Sequence, residues 1–215
     1  MLRKILFGLL LISSTTLFAQ RFNGGILAGG NVSQLDGDNN DGYNKFGYQA
    51  GAFVSLKVSQ HSSFQMEMEY IQKGSRINAD TITNTGTTYL FRFHYLEIPI
   101  LYQYSFTKGK RWSFEAGPAV DVLLGSWEGS DGLEVASTVP LRPITLAGIL
   151  GFSAFLTDHL KANFRFNYSL LSIRVTPPPD AMPYPSTYRH ILFETGQYNN
   201  VMTLSLFWYF RPREQ

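Results

Sequence analysis

Seven charged side chains sit on the polar side of period-two segments, where they could share one enclosed space: Lys57, Glu67, Glu69, Glu97, Glu115, Asp121 and Arg165. Two chemistries suit such a set. An ion or proton path could run through the carboxylates, or the groups could pair into a hydrogen-bonded, ion-bridged plug. Burying a charge without a partner is expensive, so mutual pairing is the favoured expectation. No catalytic, cofactor-binding or metal-binding role is expected of these residues.

Other candidates carry less. Asp36-Gly37-Asp38-Asn39-Asn40-Asp41-Gly42 is rich in oxygen ligands. In an EF-hand register from Asp36, however, Asp41 stands where glycine is required and Gly47 where the bidentate glutamate belongs, so segment 33–44 is expected to be a solvated loop. His61, His94, His159 and His190 are scattered and never at metal-ligand spacing. No Gly-x-Ser-x-Gly elbow, phosphate loop or His-Glu-x-x-His occurs. A Ser, His and carboxylate drawn from separate elements would leave no motif, because a triad is defined by geometry. Pro177-Pro178-Pro179, Pro183 and Pro185 with Tyr184 and Tyr188 suit a stiff lid or a docking surface. Trp112, Trp208, Tyr209 and Phe210 are expected to form an interfacial aromatic girdle.

The elements that must hold the charged set are strands. Trp112, Phe114, Ala116, Pro118, Val120, Val122 and Leu124 alternate with Ser113, Glu115, Gly117, Ala119 and Asp121. Phe164, Phe166 and Tyr168 alternate with Asn163, Arg165 and Asn167; Met202, Leu204, Leu206 and Trp208 with Thr203, Ser205 and Phe207; Phe64, Met66 and Met68 with Gln65, Glu67 and Glu69. Successive strand side chains point to opposite faces, so each segment has an apolar and a polar wall. A strand of about 9–11 residues crosses a tilted bilayer path, and backbone in lipid must be fully paired, which requires a closed barrel. The apolar walls would then face lipid and the charged set the lumen, which in an eight-stranded barrel is about filled by side chains.

Strands are expected near 22–32, 45–58, 63–77, 88–105, 111–125, 141–157, 160–174 and 197–210. The connections between them alternate long and short, as outer-membrane barrels alternate external loops with periplasmic turns. The expected fold is all-β, an eight-stranded antiparallel up-and-down transmembrane β-barrel with both mature termini periplasmic. In the fourth segment the apolar face changes phase near Tyr95-Leu96, and Pro99 follows, which predicts a β-bulge there.

Arg3 and Lys4, the apolar run Ile5–Ile12 and Ala19 have the layout of a cleaved secretory signal over 1–19, leaving 20–215 as the barrel. Cleavage removes two basic residues and leaves sixteen charges of each sign, so neither nucleic acid nor an anionic surface is an expected partner. With no cysteine in 215 residues there is no disulfide or thiolate metal chemistry. Charged residues are 16% against aromatics at 15%, with mean hydropathy −0.08, which excludes a helical membrane protein.

The sequence resembles the PorT-like outer-membrane β-barrel family of gram-negative envelopes. The resemblance rests on Gly25-Ile26-Leu27-Ala28-Gly29-Gly30-Asn31-Val32-Ser33, Gly47-Tyr48-Gln49-Ala50-Gly51, Tyr95-Leu96-Glu97-Ile98-Pro99-Ile100-Leu101 and Glu115-Ala116-Gly117-Pro118. It implies an eight-stranded barrel, in some relatives associated with a secretion apparatus. The chain departs from many outer-membrane barrels in ending Phe210-Arg211-Pro212-Arg213-Glu214-Gln215, with no terminal aromatic. The expected role is a non-enzymatic outer-membrane barrel presenting external loops, an accessory of an envelope or secretion assembly. Its expected partners are outer-membrane lipid and other envelope proteins, with no cofactor. The alternatives are a lipid-modifying outer-membrane enzyme and a secreted ligand-binding β-sandwich.

Overall fold

The computed structural model describes residues 22–38, 42–77, 88–106, 111–135, 139–175, 189–192 and 194–212. The expected signal segment 1–19, part of the candidate calcium loop (39–41) and the proline-rich segment 176–188 lie outside the described residues.

The chain forms β1 (Phe22–Asp36), β2 (Lys45–Lys57), β3 (Ser62–Ile77), β4 (Tyr89–Ser105), β5 (Trp112–Ser130), β6 (Leu133–Glu134), β7 (Ile144–Phe155), β8 (Leu160–Ser169), β9 (Arg189–Ile191), β10 (Glu194–Gly196) and β11 (Tyr198–Tyr209). Eight of these, β1 to β5, β7, β8 and β11, pair antiparallel around a closed ring. β1 closes it against β11, from Gly25 opposite Tyr209 to Asp36 opposite Tyr198. The short β6 extends the free end of β5, and β9 and β10 pair only with each other. The connections β2–β3, β4–β5 and β7–β8 are the short ones, and both ends of the described chain lie with them.

The alternation sorts side chains as the pleat requires. Ile26, Met66, Met68, Ile100, Phe114, Leu150, Phe164, Leu204 and Leu206 stand exposed on the outer wall. A two-sheet sandwich would bury them; here they form a continuous apolar band. The inward wall falls into three layers. Leu27, Phe53, Phe207 and Tyr209 pack near the turn end, with Phe155 against them. Charged and amide side chains fill most of the middle, beside an apolar patch of Leu101, Ala119, Ala147 and Ile149. Leu35, Ile71, Phe91, Phe93, Tyr95 and Ile173 pack at the loop end.

That third layer explains the phase change in the fourth segment. β4 keeps one phase throughout: Phe91, Phe93, Tyr95, Glu97, Leu101 and Gln103 all point inward. Its apolar residues change sides because the lumen itself turns apolar toward the loops. A bulge does occur at this point of the β4–β5 ladder, but its extra residue is in the partner strand. His94 pairs with Gly125 and Tyr95 with Leu123, so Leu124 is the extra residue. Below it odd-numbered residues of β5 face inward; above it Ser126 and Glu128 take that face, opposite Phe93 and Phe91. Pro99 leaves its own mark: the β3–β4 ladder is interrupted between the Met66–Ile100 and Glu69–Glu97 pairs, since proline cannot donate to it.

Candidate functional site: the ion-paired lumen

Arg165 on β8 and Glu67 on β3 start from strands four places apart in the eight-strand ring, so their contact spans the lumen. The guanidinium grips that carboxylate with both ends, Nη1 to Oε2 at 2.7 Å and Nη2 to Oε1 at 2.6 Å. Its Nε donates to Glu115 Oε1 on β5 at 2.5 Å, and Nη1 lies 3.8 Å from Glu69 Oε1. The fork geometry of arginine suits such a bridge, where a lysine would act only as a point charge. Glu115 also accepts from Asn163 Nδ2 and Gln103 Nε2, each at 2.8 Å.

A second cluster sits one layer nearer the loops. Lys73 Nζ donates to Glu97 and, at 2.8 Å, to Asp121 Oδ2. Asn167 Nδ2 reaches across from β8 to Glu97 Oε2 at 2.7 Å. The two clusters tie β3, β4 and β5 to β8 through the interior, and every charged member is buried. Glycines make the room: a Cβ on Gly151 would stand 2.8 Å from Glu115 Oε1 and 3.0 Å from Arg165 Cγ.

Six of the seven expected lumen residues, Glu67, Glu69, Glu97, Glu115, Asp121 and Arg165, therefore share this network. Lys57 also faces inward but at the turn end, where it is half-buried in the wall of a cavity. Lys73 lies outside the expected set because Ile71 interrupts the polar side of β3; the alternation carried past Ile71 reaches it. A further buried cation outside the expected set is Lys161, whose Nζ has no hydrogen-bond partner among the described residues and lies 4.8 Å from the Phe207 ring centroid and 5.4 Å from that of Tyr209.

The expected girdle needs one correction. Trp112, Trp208 and Phe210 are on the outer wall, Trp112 stacked on Phe152 with ring centroids 5.2 Å apart. Tyr209 is not: it is 5% exposed where Trp208 is 49% and Phe210 65%. Strand alternation turns it inward, onto Phe53 and Phe155.

The loop end of the lumen is latched. Arg174 lies 5.4 Å from the Phe91 ring centroid, donates to Gln197 Oε1 at 2.7 Å and reaches Glu128 at 3.1 Å; Arg142 pairs with Glu194 at 2.9 Å. Among the described residues no group of His, Asp or Glu is arranged to hold a metal ion. The histidines stay apart: His94 meets Tyr70 on the outer wall, His159 Nδ1 donates to the Tyr209 carbonyl, and His190 meets Thr195.

Three solved structures are similar to the chain: Ail, the attachment invasion locus protein of Yersinia pestis (12% identity, TM-score 0.49, covering 87% of this chain and 98% of that one), Neisserial surface protein A (10%, 0.49, 87% and 96%) and the outer membrane protein OprG of Pseudomonas aeruginosa (15%, 0.38, 88% and 94%). No curated protein matches the sequence. The profile of the outer membrane protein beta-barrel domain matches residues 18–174, most of the chain. The chain belongs to that family, the outer membrane protein beta-barrel domain proteins.

Proposed function

We propose that this outer-membrane barrel is a non-enzymatic, non-conducting platform, braced by its ion-paired lumen, that holds loops at the cell surface for an envelope assembly. Within the family we assign it to the PorT-like group, on the strand-four segment Tyr95–Leu101 and its companions. In that segment Tyr95 and Glu97 point into the lumen, with Glu97 bound to Lys73 and Asn167. The turn end and both termini face the periplasm, as expected of a barrel with brief turns at one end and long loops at the other.

The observation that carries this reading is the Arg165 bridge. A side chain that crosses the lumen and binds Glu67 and Glu115 leaves the middle of the barrel to paired charges. Eight strands enclose about as much space as their side chains fill, so a braced interior is a natural use of such a barrel. Serving as a partner surface then falls to the loops. Crosslinking in intact cells, followed by identification of co-purified proteins, tests the assembly role. Reproducible recovery of envelope proteins that depends on the loop segments supports it, and recovery of the barrel alone overturns it.

A further inference from the structure

The turn end of the barrel is built differently from its latched loop end. A cavity of about 380 Å³ opens there, within the size range of small-molecule sites. Its described lining includes three basic side chains, Lys57, His61 and Arg211, and no acidic one. Six serines also line it. The Ser55 and Ser105 hydroxyls make no hydrogen bond among the described residues, nor do the His61 ring and the Arg211 guanidinium. The inner wall carries Phe155 and Tyr209, and Lys161 lies behind their rings, its Nζ 6.0 and 5.4 Å from the two centroids. That ammonium is buried with no hydrogen-bond partner among the described residues, and it adds positive charge behind the cavity wall, shared with the Glu115 carboxylate on its lumen side.

The geometry points to a binding site for a phosphate-bearing ligand at the turn end of the barrel. Lys57 and Arg211 supply the charge, the serine hydroxyls and His61 the remaining donors, and the rings a surface for the ligand's carbon frame. A tetrahedral anion accepts several charge-assisted hydrogen bonds at once, which suits donors converging from different strands. The volume exceeds what inorganic phosphate alone fills, so a phosphate ester is the better fit. A soluble ester and a phospholipid headgroup offer the same chemistry. The site stands whichever compartment the turn end faces.

The test uses the intact barrel in an uncharged detergent, titrated calorimetrically with inorganic phosphate, glycerol 3-phosphate and glycerol. Saturable binding of glycerol 3-phosphate, tighter than phosphate and absent for glycerol, is the expected result. Affinity should fall with added salt and by about tenfold in each of Lys57→Gln and Arg211→Gln, while Lys57→Arg keeps most of it. Heat-modifiable gel migration checks that each variant is folded. A second arm places the barrel in nanodiscs with and without phosphatidylglycerol and follows the phosphorus NMR signal of the headgroup. A perturbation abolished by Arg211→Gln identifies lipid as the source; binding of the soluble ester in both nanodiscs identifies a solute. If neither arm yields binding that depends on Lys57 or Arg211, the cavity is a solvated vestibule and the inference is overturned.

Discussion

Arg165 binds one carboxylate from the opposite wall of the barrel and another from two strands away, and removing it isolates what a buried pair contributes. The intact pair is a weak argument for stability, because desolvating the charges offsets much of their attraction. The broken pair is another matter. Arg165→Met leaves Glu67 and Glu115 without their main cation, and the expected loss is about 3–5 kcal/mol, measured by urea unfolding in lipid bilayers. Adding Glu67→Gln and Glu115→Gln to Arg165→Met should recover a large part of that loss, since the uncompensated charges are then gone. A smaller effect is expected from Gly151→Ala, whose methyl would press on both Glu115 and Arg165. Overpacking of this kind costs about 1–3 kcal/mol. Thermal melts of the two single variants should therefore rank Arg165→Met below Gly151→Ala, and the reverse order would mean that the bridge contributes little.

At the scale of elements, strands and closure were legible because their signal is local. A residue's parity within β7 or β8 is enough to assign its face. What parity could not carry was the change of solvent inside the lumen. Phe91, Phe93 and Tyr95 look lipid-facing to any rule that equates apolar with outward, yet they pack at the inner loop end with Leu35 and Ile71. The bulge falls where expected along the β4–β5 ladder, between His94 and Tyr95, but its extra residue is Leu124 of β5, where Val122, Leu123 and Leu124 form an apolar run that hides it. Ion-pair partners were equally out of reach, since Arg165 and Glu67 are brought together only by closure of the ring. Asp131-Gly132 at the β5–β6 turn, with φ of 50° and 82°, is the dipeptide favoured in tight hairpins and is a local signal of that turn. The bulge assignment is testable. Deleting Leu124 would turn Ser126 and Glu128 toward lipid and strip the loop end of the Glu128–Arg174 pair. That deletion should abolish the heat-modifiable folded band, whereas Leu124→Ala, which keeps the residue count at an exposed site, should fold normally.

The whole molecule is asymmetric along its axis, and that asymmetry has a measurable sign. Both ends of the described chain and the short connections share one rim; the strand ends that lead into the long connections share the other with the Arg174 latch. Strands threaded as hairpins from one side of a membrane put their short turns on the side of entry, because only the far connections must cross the hydrocarbon. The chain has no cysteine, so single cysteines report position without background. Leu133→Cys on β6 and Asp158→Cys in the β7–β8 turn are both at exposed sites. In intact cells a membrane-impermeant maleimide should label the first and spare the second until the outer membrane is permeabilised. The opposite pattern would invert the barrel and give its turn-end cavity to the outside. The same protein in planar bilayers should give no steady conductance, because eight strands enclose about as much space as their side chains fill. Arg165→Met separates two explanations of any current that does occur. A pore gated by the bridge would conduct more once it is cut, whereas a plug that relies on bulk and hydrogen bonds would stay closed, and the closed outcome is the one expected here.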